Sequence, residues 1–232
     1  MLCRGSLVEQ HAVAEAVLQS LKQLPKALFA LIVNVSGSTS SWFLDVPDQR
    51  WYPVGQERYL MASDCPHVTP GNAQRPLFAG VDLGGTGIKI GVVDDRGHTI
   101  GATRIPTDQE RGPEDGIQRM ADAIGSLLSS AGIDPVELVA VGLGTPGTMD
   151  IPAGMILEPP NLPAWRHFPV RDALSAACQC PVAYANDAAA AAYGEYWIGT
   201  GQKYASMVLL TLGTGVGGGI ILGDLLLDGE NS

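Results

Sequence analysis

Two short runs of glycine and threonine stand between apolar segments: Asp82-Leu83-Gly84-Gly85-Thr86-Gly87 and Leu212-Gly213-Thr214-Gly215-Val216-Gly217-Gly218. Glycine lets a backbone approach an anion closely, and successive turn N–H groups form a concave anion-binding nest. Thr86 and Thr214 add hydroxyl donors. A strand, a Gly/Thr turn and a second strand, used twice, suggest two related halves facing one phosphate-bearing ligand. Two ordinary glycine hairpins would use the same residues; Asp82, just before the first turn, tips the reading towards phosphate. Asp187 is the other group of interest. It falls between a short apolar strand and an alanine-rich helix, where a carboxylate can point into a cleft. The competing job for Asp at such a place is to cap the helix.

Other chemistries fit less well. Gly142-Leu143-Gly144-Thr145-Pro146-Gly147 and Gly213-Thr214-Gly215-Val216-Gly217-Gly218 both satisfy GxGxxG. A dinucleotide fingerprint needs a helix directly after its glycines, because the helix N-terminus holds the pyrophosphate. The first match runs into Met149-Asp150-Ile151-Pro152-Ala153-Gly154 and the second into the strand-like Gly219-Ile220-Ile221-Leu222. No GxxxxGK[ST] occurs, so no P-loop is expected. Cys3, Cys65, Cys178 and Cys180 form no CxxC, and Cys178-Gln179-Cys180 is too close for an ordinary disulfide or a zinc knuckle. They read as reduced thiols of a cytoplasmic protein.

The elements that must position these groups begin at Leu77. Leu77–Leu83, Ile88–Val93 and Thr99–Ile105 read as three strands, with Asp94-Asp95-Arg96-Gly97 as a hairpin turn. Pro113 to Ala131 reads as a helix, with Ile117, Met120, Ala121, Ile124, Leu127 and Leu128 on its apolar face and Gly132 as its terminating glycine. Leu138–Leu143 is a continuous apolar run, as in a buried strand. After an irregular Pro-rich stretch come a helix at Val170–Cys178, a strand at Val182–Ala185 and a helix at Ala188–Tyr196. Met207–Leu212 and Gly219–Leu222 give two last strands. Antiparallel strands followed by crossover units predict an α/β fold with a mixed sheet.

The chain has 232 residues, enough for one or two domains. Its net charge of −10 argues against broad nucleic-acid binding, which rests on neutralising phosphates with cations. No apolar run reaches the ~18–20 residues needed to span a bilayer. Residues 1–76 read as an extension: an interrupted helix face over Val13, Val17, Leu21, Leu24 and Leu28, a turn at Ser36 to Ser41, then Trp42, Trp51 and Tyr52 among turn residues. Residues 62–76, with Pro66, Pro70, Gly71 and Pro76, read as a linker, and Met61 before it is an alternative start.

Taken together the motifs resemble a known family. Gly80-Val81-Asp82-Leu83-Gly84-Gly85-Thr86 is similar to the first phosphate motif of the sugar-kinase/actin/Hsp70 superfamily. Gly142–Gly147, Pro160-Asn161-Leu162-Pro163-Ala164-Trp165 and Asn186-Asp187-Ala188 resemble the ROK family of bacterial glucokinases, and Leu210–Gly219 resembles its second phosphate motif. The resemblance covers about residues 77–232. It implies a ribonuclease H-like (actin-like ATPase) lobe over 77–204, and over 205–232 the first hairpin of a second, similar lobe.

It also implies phosphoryl transfer from ATP to the primary hydroxyl of a hexose, most simply glucose, with Asp187 as general base. Gly147, Asn161, Asn186 and Asp187 would contact the sugar. Asp82, Gly84, Gly85, Thr86, Gly213, Thr214 and Gly215 would hold the phosphates, with Asp82 on Mg²⁺ through water. The resemblance further implies small-molecule partners, a hexose and a nucleotide, with no nucleic acid and no membrane, and homo-oligomers for full-length members.

Two departures stand out. Members often carry Lys directly after Gly-Gly-Thr, where this chain has Gly87 and then Lys89; polyphosphate-using glucokinases share that arrangement, which makes polyphosphate an alternative donor. The family also continues past a segment like Asp228-Gly229-Glu230-Asn231-Ser232 into a further sugar-binding stretch, a Cys-rich structural zinc motif and an adenosine site, none of which this chain contains. The expectation is therefore little or no kinase activity from these residues alone, and an unpaired edge on the last hairpin. The rival from another class is a ROK-type sugar-responsive repressor. Residues 1–76 are charge-neutral and carry no basic recognition helix, which disfavours it.

Overall fold

The computed structural model describes residues 40–45, 50–54, 67–212 and 216–229, of which 40–45, 50–54, 200 and 212 are described by backbone alone. The predicted helix face from Val13 to Leu28, most of the predicted turn at Ser36 to Ser41 and the turn 213–215 lie outside the described residues.

A five-stranded mixed sheet organises the lobe. Its central strand β3 (Leu77–Leu83) pairs antiparallel with β4 (Gly87–Val93), which pairs antiparallel with β5 (Thr99–Pro106). On its other side β3 runs parallel to β6 (Leu138–Thr145), and β6 runs parallel to β9 (Val182–Asn186). The strand order 5-4-3-6-9 is the predicted mixed sheet: hairpins on one side, helical crossovers on the other. β3 is central and covered on both faces, which explains its near-continuous apolar sequence.

One face is covered by α1 (Pro113–Ser130) and α2 (Val170–Cys178). Pro113 opens α1 at a position that needs no N–H, and Ile117, Met120, Ile124 and Leu128 are buried. Gly132 ends it at φ +67°, and Ile133 N–H donates to the Leu128 carbonyl while Gly132 N–H donates to that of Ser129. That double closure is a Schellman turn, which an L side chain at position 132 would strain.

The other face carries Phe78, Val93 and Ala140, packed with Ala183 and with Trp197 from α3 (Asp187–Trp197). Beyond α3 lies a second sheet in the order β12 (Leu225–Leu226), β11 (Val216–Leu222), β10 (Ser206–Leu212), β1 (Ser40–Asp45), β2 (Arg50–Val54). A Cβ on Gly219 would stand 2.5 Å from the Ala192 methyl, and one on Gly217 would stand 2.7 Å from that of Ala188. These two glycines therefore let α3 lie flat against β11. They serve packing as well as any turn.

Three expectations are corrected. The last hairpin has no open edge at β10, because Ser40–Phe43 pairs antiparallel with Leu209–Leu212. The segment read as turns around Trp42, Trp51 and Tyr52 pairs antiparallel as β1 and β2; its Pro and Ser content hid this in the sequence. The irregular Pro-rich stretch holds a second short hairpin, β7 (Thr148–Asp150) with β8 (Met155–Glu158). Among the described residues no helix is long and apolar enough to cross a membrane.

Candidate active site

The turn between β3 and β4 is held from one side. Thr107, buried just after β5, donates its Oγ1 to the Gly84 carbonyl at 2.6 Å and its N–H to the Thr86 carbonyl at 3.3 Å. Gln109 Nε2 donates to the Gly85 carbonyl at 2.8 Å. All three turn carbonyls are thus tied back towards the β5 loop. Gly84 N–H closes the turn onto the Gly87 carbonyl at 3.1 Å, so it is not available to a ligand. The amides of Gly85 and Thr86 have no acceptor among the described residues, and they remain to face an anion. The nest is therefore smaller than the sequence implied: two amides rather than three.

The glycines are sterically required there. A Cβ on Gly84 would meet the Gly87 carbonyl at 2.9 Å, and one on Gly85 would meet both Cβ and the carbonyl oxygen of Asn161 at 3.0 Å. Gln109 Nε2 also donates to the Asn161 carbonyl at 2.8 Å, bridging the two loops. The Asn161 loop is anchored by Leu162 and Trp165, both fully buried. Trp165 occupies the space a side chain at Gly116 of α1 would take, 2.6 Å from that Cβ position. Gly147 adopts φ +86° and leaves no room for a side chain, with Pro159 Cα 2.7 Å from its Cβ position. Gly85, Asn161 and the Gly147–Pro159 contact thus form one wall.

Cross-strand register builds the floor. Arg104 of β5 pairs with Lys89 of β4, Lys89 with Asp82 of β3, Asp82 with Gly144 of β6, and Gly144 with Ala185 of β9. Directly opposed residues share a face, so one row crosses the sheet as two cations, a carboxylate, then two small residues. Lys89 Nζ lies 3.4 Å from Asp82 Oδ2. Burial pushes the Asp82 carboxyl above its usual range, against the opposing pull of Lys89 and Arg104.

Asp187 stands at the small-residue end of this row. Asn186 ends β9 and caps α3, its Oδ1 accepting from Ala188 N–H at 2.9 Å and Ala189 N–H at 3.2 Å. The cap is thus Asn186, which relieves Asp187 of the bland alternative. Asp187 Oδ1 accepts its neighbour's amide, Ala188 N–H at 2.8 Å. Burial, and then the charge of Asp82, push its carboxyl up to about 6, with the Ala188 amide pulling the other way. Asp82 is thus near enough for its charge to be felt at Asp187. The cap uses the Asn186 oxygen, which leaves its Nδ2 as the donor a ligand could use. Below, Thr145 Oγ1 and Tyr184 OH satisfy each other at 2.9 Å in the core, and burial pushes the phenol up to about 12.

Gly213, Thr214 and Gly215 lie outside the described residues, so the second turn adds no geometry. Sequence reasoning missed Thr107, Gln109 and Arg104. Nothing in Thr-Asp-Gln marks a motif; the signal lay in a polar residue directly following a strand beside a glycine turn.

Comparisons with known proteins show the family and the fold. The sequence profile of the ROK family matches residues 78–232. The chain belongs to the ROK family. A glucokinase of Halalkalibacterium halodurans is 39% identical over 154 residues, covering 66% of this chain and 46% of the relative. The ROK hexokinase crystal structure from Thermus thermophilus matches with a TM-score of 0.59 at 39% identity, over 67% of this chain and 50% of that one. A ROK glucokinase from Streptomyces griseus, solved in complex with glucose and AMPPNP, matches with a TM-score of 0.54 at 39% identity, over 66% and 47%. The chain spans about half the length of the ROK relatives it matches. The mixed sheet between helical layers is the α/β, actin-like lobe of these ROK kinases.

Proposed function

We propose that the protein is a cytoplasmic hexose kinase of the ROK family, transferring the terminal phosphoryl group of ATP to the primary hydroxyl of a hexose, glucose in the first instance. The observation that carries this is Asp187: a half-buried carboxylate beside the Asn186 cap, near enough to Asp82 to feel its charge. Phosphoryl transfer asks little covalent work of a protein; it needs an in-line acceptor, a place for its proton and stabilisation of phosphoryl charge. A carboxylate held near 6 is ionised at neutral pH yet basic enough to take the hydroxyl proton as the oxygen attacks. Asn186 Nδ2 and the Asn161 side chain would fix the sugar, with the backbone at Gly147 closing that wall. The amides of Gly85 and Thr86 would take phosphoryl oxygens; by analogy Gly213, Thr214 and Gly215 would act from the opposite side.

Two carboxylates that repel one another suit a shared cation. Mg²⁺ is ordinarily held by one or two carboxylates plus substrate phosphates and keeps several waters, so Asp82 fits as its partner through water. When bound, the ion would neutralise donor phosphate charge. We take residues 77–204 as the N-terminal lobe and 205–232 as the opening of a second lobe. Since the chain spans about half of its relatives, we expect hexose binding from it and little turnover.

Titrating the chain with glucose, and assaying glucose 6-phosphate with MgATP in a coupled assay, tests the reading. Glucose should bind; Asp187→Asn should weaken it roughly tenfold, the worth of a charge-assisted hydrogen bond, and leave turnover at background. Absence of hexose binding, or full turnover in the Asn variant, overturns it.

A further inference from the structure

Arg104 is the least explained residue of the site. Its guanidinium lies across Gly87, with Nε 2.6 Å and a terminal nitrogen 2.8 Å from where a Cβ would stand. Its side chain is exposed and makes no hydrogen bond or ion pair among the described residues, though its charge is felt at Asp82. Lys89 beside it reaches Asp82 at 3.4 Å, well beyond the ~2.7–2.9 Å of a tight charge-assisted bond. Two adjacent cations, one loosely held by Asp82 and one whose side chain has no partner among the described residues, therefore sit at the end of the charged row, next to the glycine turn with its two open amides.

We propose that Lys89 and Arg104 form a phosphate clamp that takes the tail of the phosphoryl donor, the guanidinium filling the space that a side chain at position 87 would otherwise occupy. This rests on the reading of the site as a phosphoryl-transfer site and names what holds its donor. The guanidinium fork offers two parallel N–H donors to one phosphoryl group, and the ammonium adds a mobile point charge. The ligand class is a linear di- or triphosphate, free or carried by a nucleoside. Charge, not a base, is what the pair recognises. Gly87 is part of the device: a methyl there would push the flexible Arg104 side chain, which supplies its three nearest atoms, off the turn.

Calorimetric titration of the full chain with inorganic triphosphate and, separately, with ATP tests this. Arg104→Gln and Lys89→Gln should each weaken both ligands about tenfold, and Arg104→Lys should recover part of the loss. Gly87→Ala should behave like a partial Arg104→Gln. Glucose binding, measured in the same variants, should not change. Unchanged triphosphate affinity in Arg104→Gln, a loss confined to ATP, or no binding of millimolar triphosphate by the wild-type chain overturns the clamp. Arg104 is an exposed residue, so loss of fold is not expected, and circular dichroism of each variant checks this. The kinase reading fails separately: absence of hexose binding refutes it and leaves the triphosphate result standing.

Discussion

Replacing Asp187 by Asn should make the protein more stable while removing the proposed base. In the folded chain this carboxyl sits at about 6, against about 3.8 when free, because burial and Asp82 disfavour its charge. The sign follows from linkage. Below the free value both states are protonated and no penalty exists. As pH rises from about 4 to 6 the unfolded chain ionises freely while the folded chain resists, so folding loses stability; above 6 the loss is complete. Two units at ~1.4 kcal/mol each give at most about 3 kcal/mol, and partial solvent access trims this to about 1–3 kcal/mol. Asn keeps the carbonyl oxygen that accepts from Ala188 N–H and carries no charge. The variant should therefore match the wild type in urea denaturation near pH 4 and exceed it by that amount at pH 8. Equal stability of the two at both pH values would refute the buried, repelled carboxylate and with it the reason to treat Asp187 as a tuned base.

Three further outcomes are expected. Carbon-detected NMR titration should place the Asp187 carboxyl near 6, and Asp82→Asn, by removing the like charge, should lower it; a midpoint near 4 in the wild type counts against that closeness. Thr107→Val removes the hydroxyl that holds the Gly84 carbonyl and should cost about 1–3 kcal/mol in urea denaturation, with Thr107→Ser restoring most of it. A chain beginning at Met61 loses β1, so the amides of β10 that it pairs should exchange faster and the protein should self-associate through the bared edge. Unchanged exchange and a monomeric elution profile would show that β1 does not cover β10 in solution.

Much of the lobe was legible because its signals are local. Leu77–Leu83 is a strand by apolar run and turn boundary alone, and Val170–Cys178 and the Gly132 terminus follow from helical period and a left-handed glycine. Of the site, the motif residues were legible, but not their neighbours: Gly85 packs against Asn161 and Asp187 feels the charge of Asp82, which no single spacing dictates. What escaped depends on contacts between segments far apart in the chain. Thr107 and Gln109 act on a turn more than twenty residues earlier, and Arg104 acquires meaning only when register sets it beside Lys89.

The division of labour between Asn186 and Asp187 escaped for a subtler reason. Either residue type can cap a helix, and the sequence holds both in succession. The backbone decides: Asn186 takes the extended conformation of a cap, φ −64° and ψ 142°, and aims its oxygen down the helix axis. Asp187 is then the first helical residue, at an end of a dipole that would by itself favour its charge. Its carboxyl is nevertheless raised, because burial and then the charge of Asp82 outweigh the amides of Ala188 and Asp187. Moving the cap by one residue would reverse this. An Asp187 whose oxygens were consumed by the first-turn amides would be a stabilised, weakly basic anion, unable to take a proton from a sugar hydroxyl. The neighbouring Asn is thus what lets the carboxylate stay hungry for a proton.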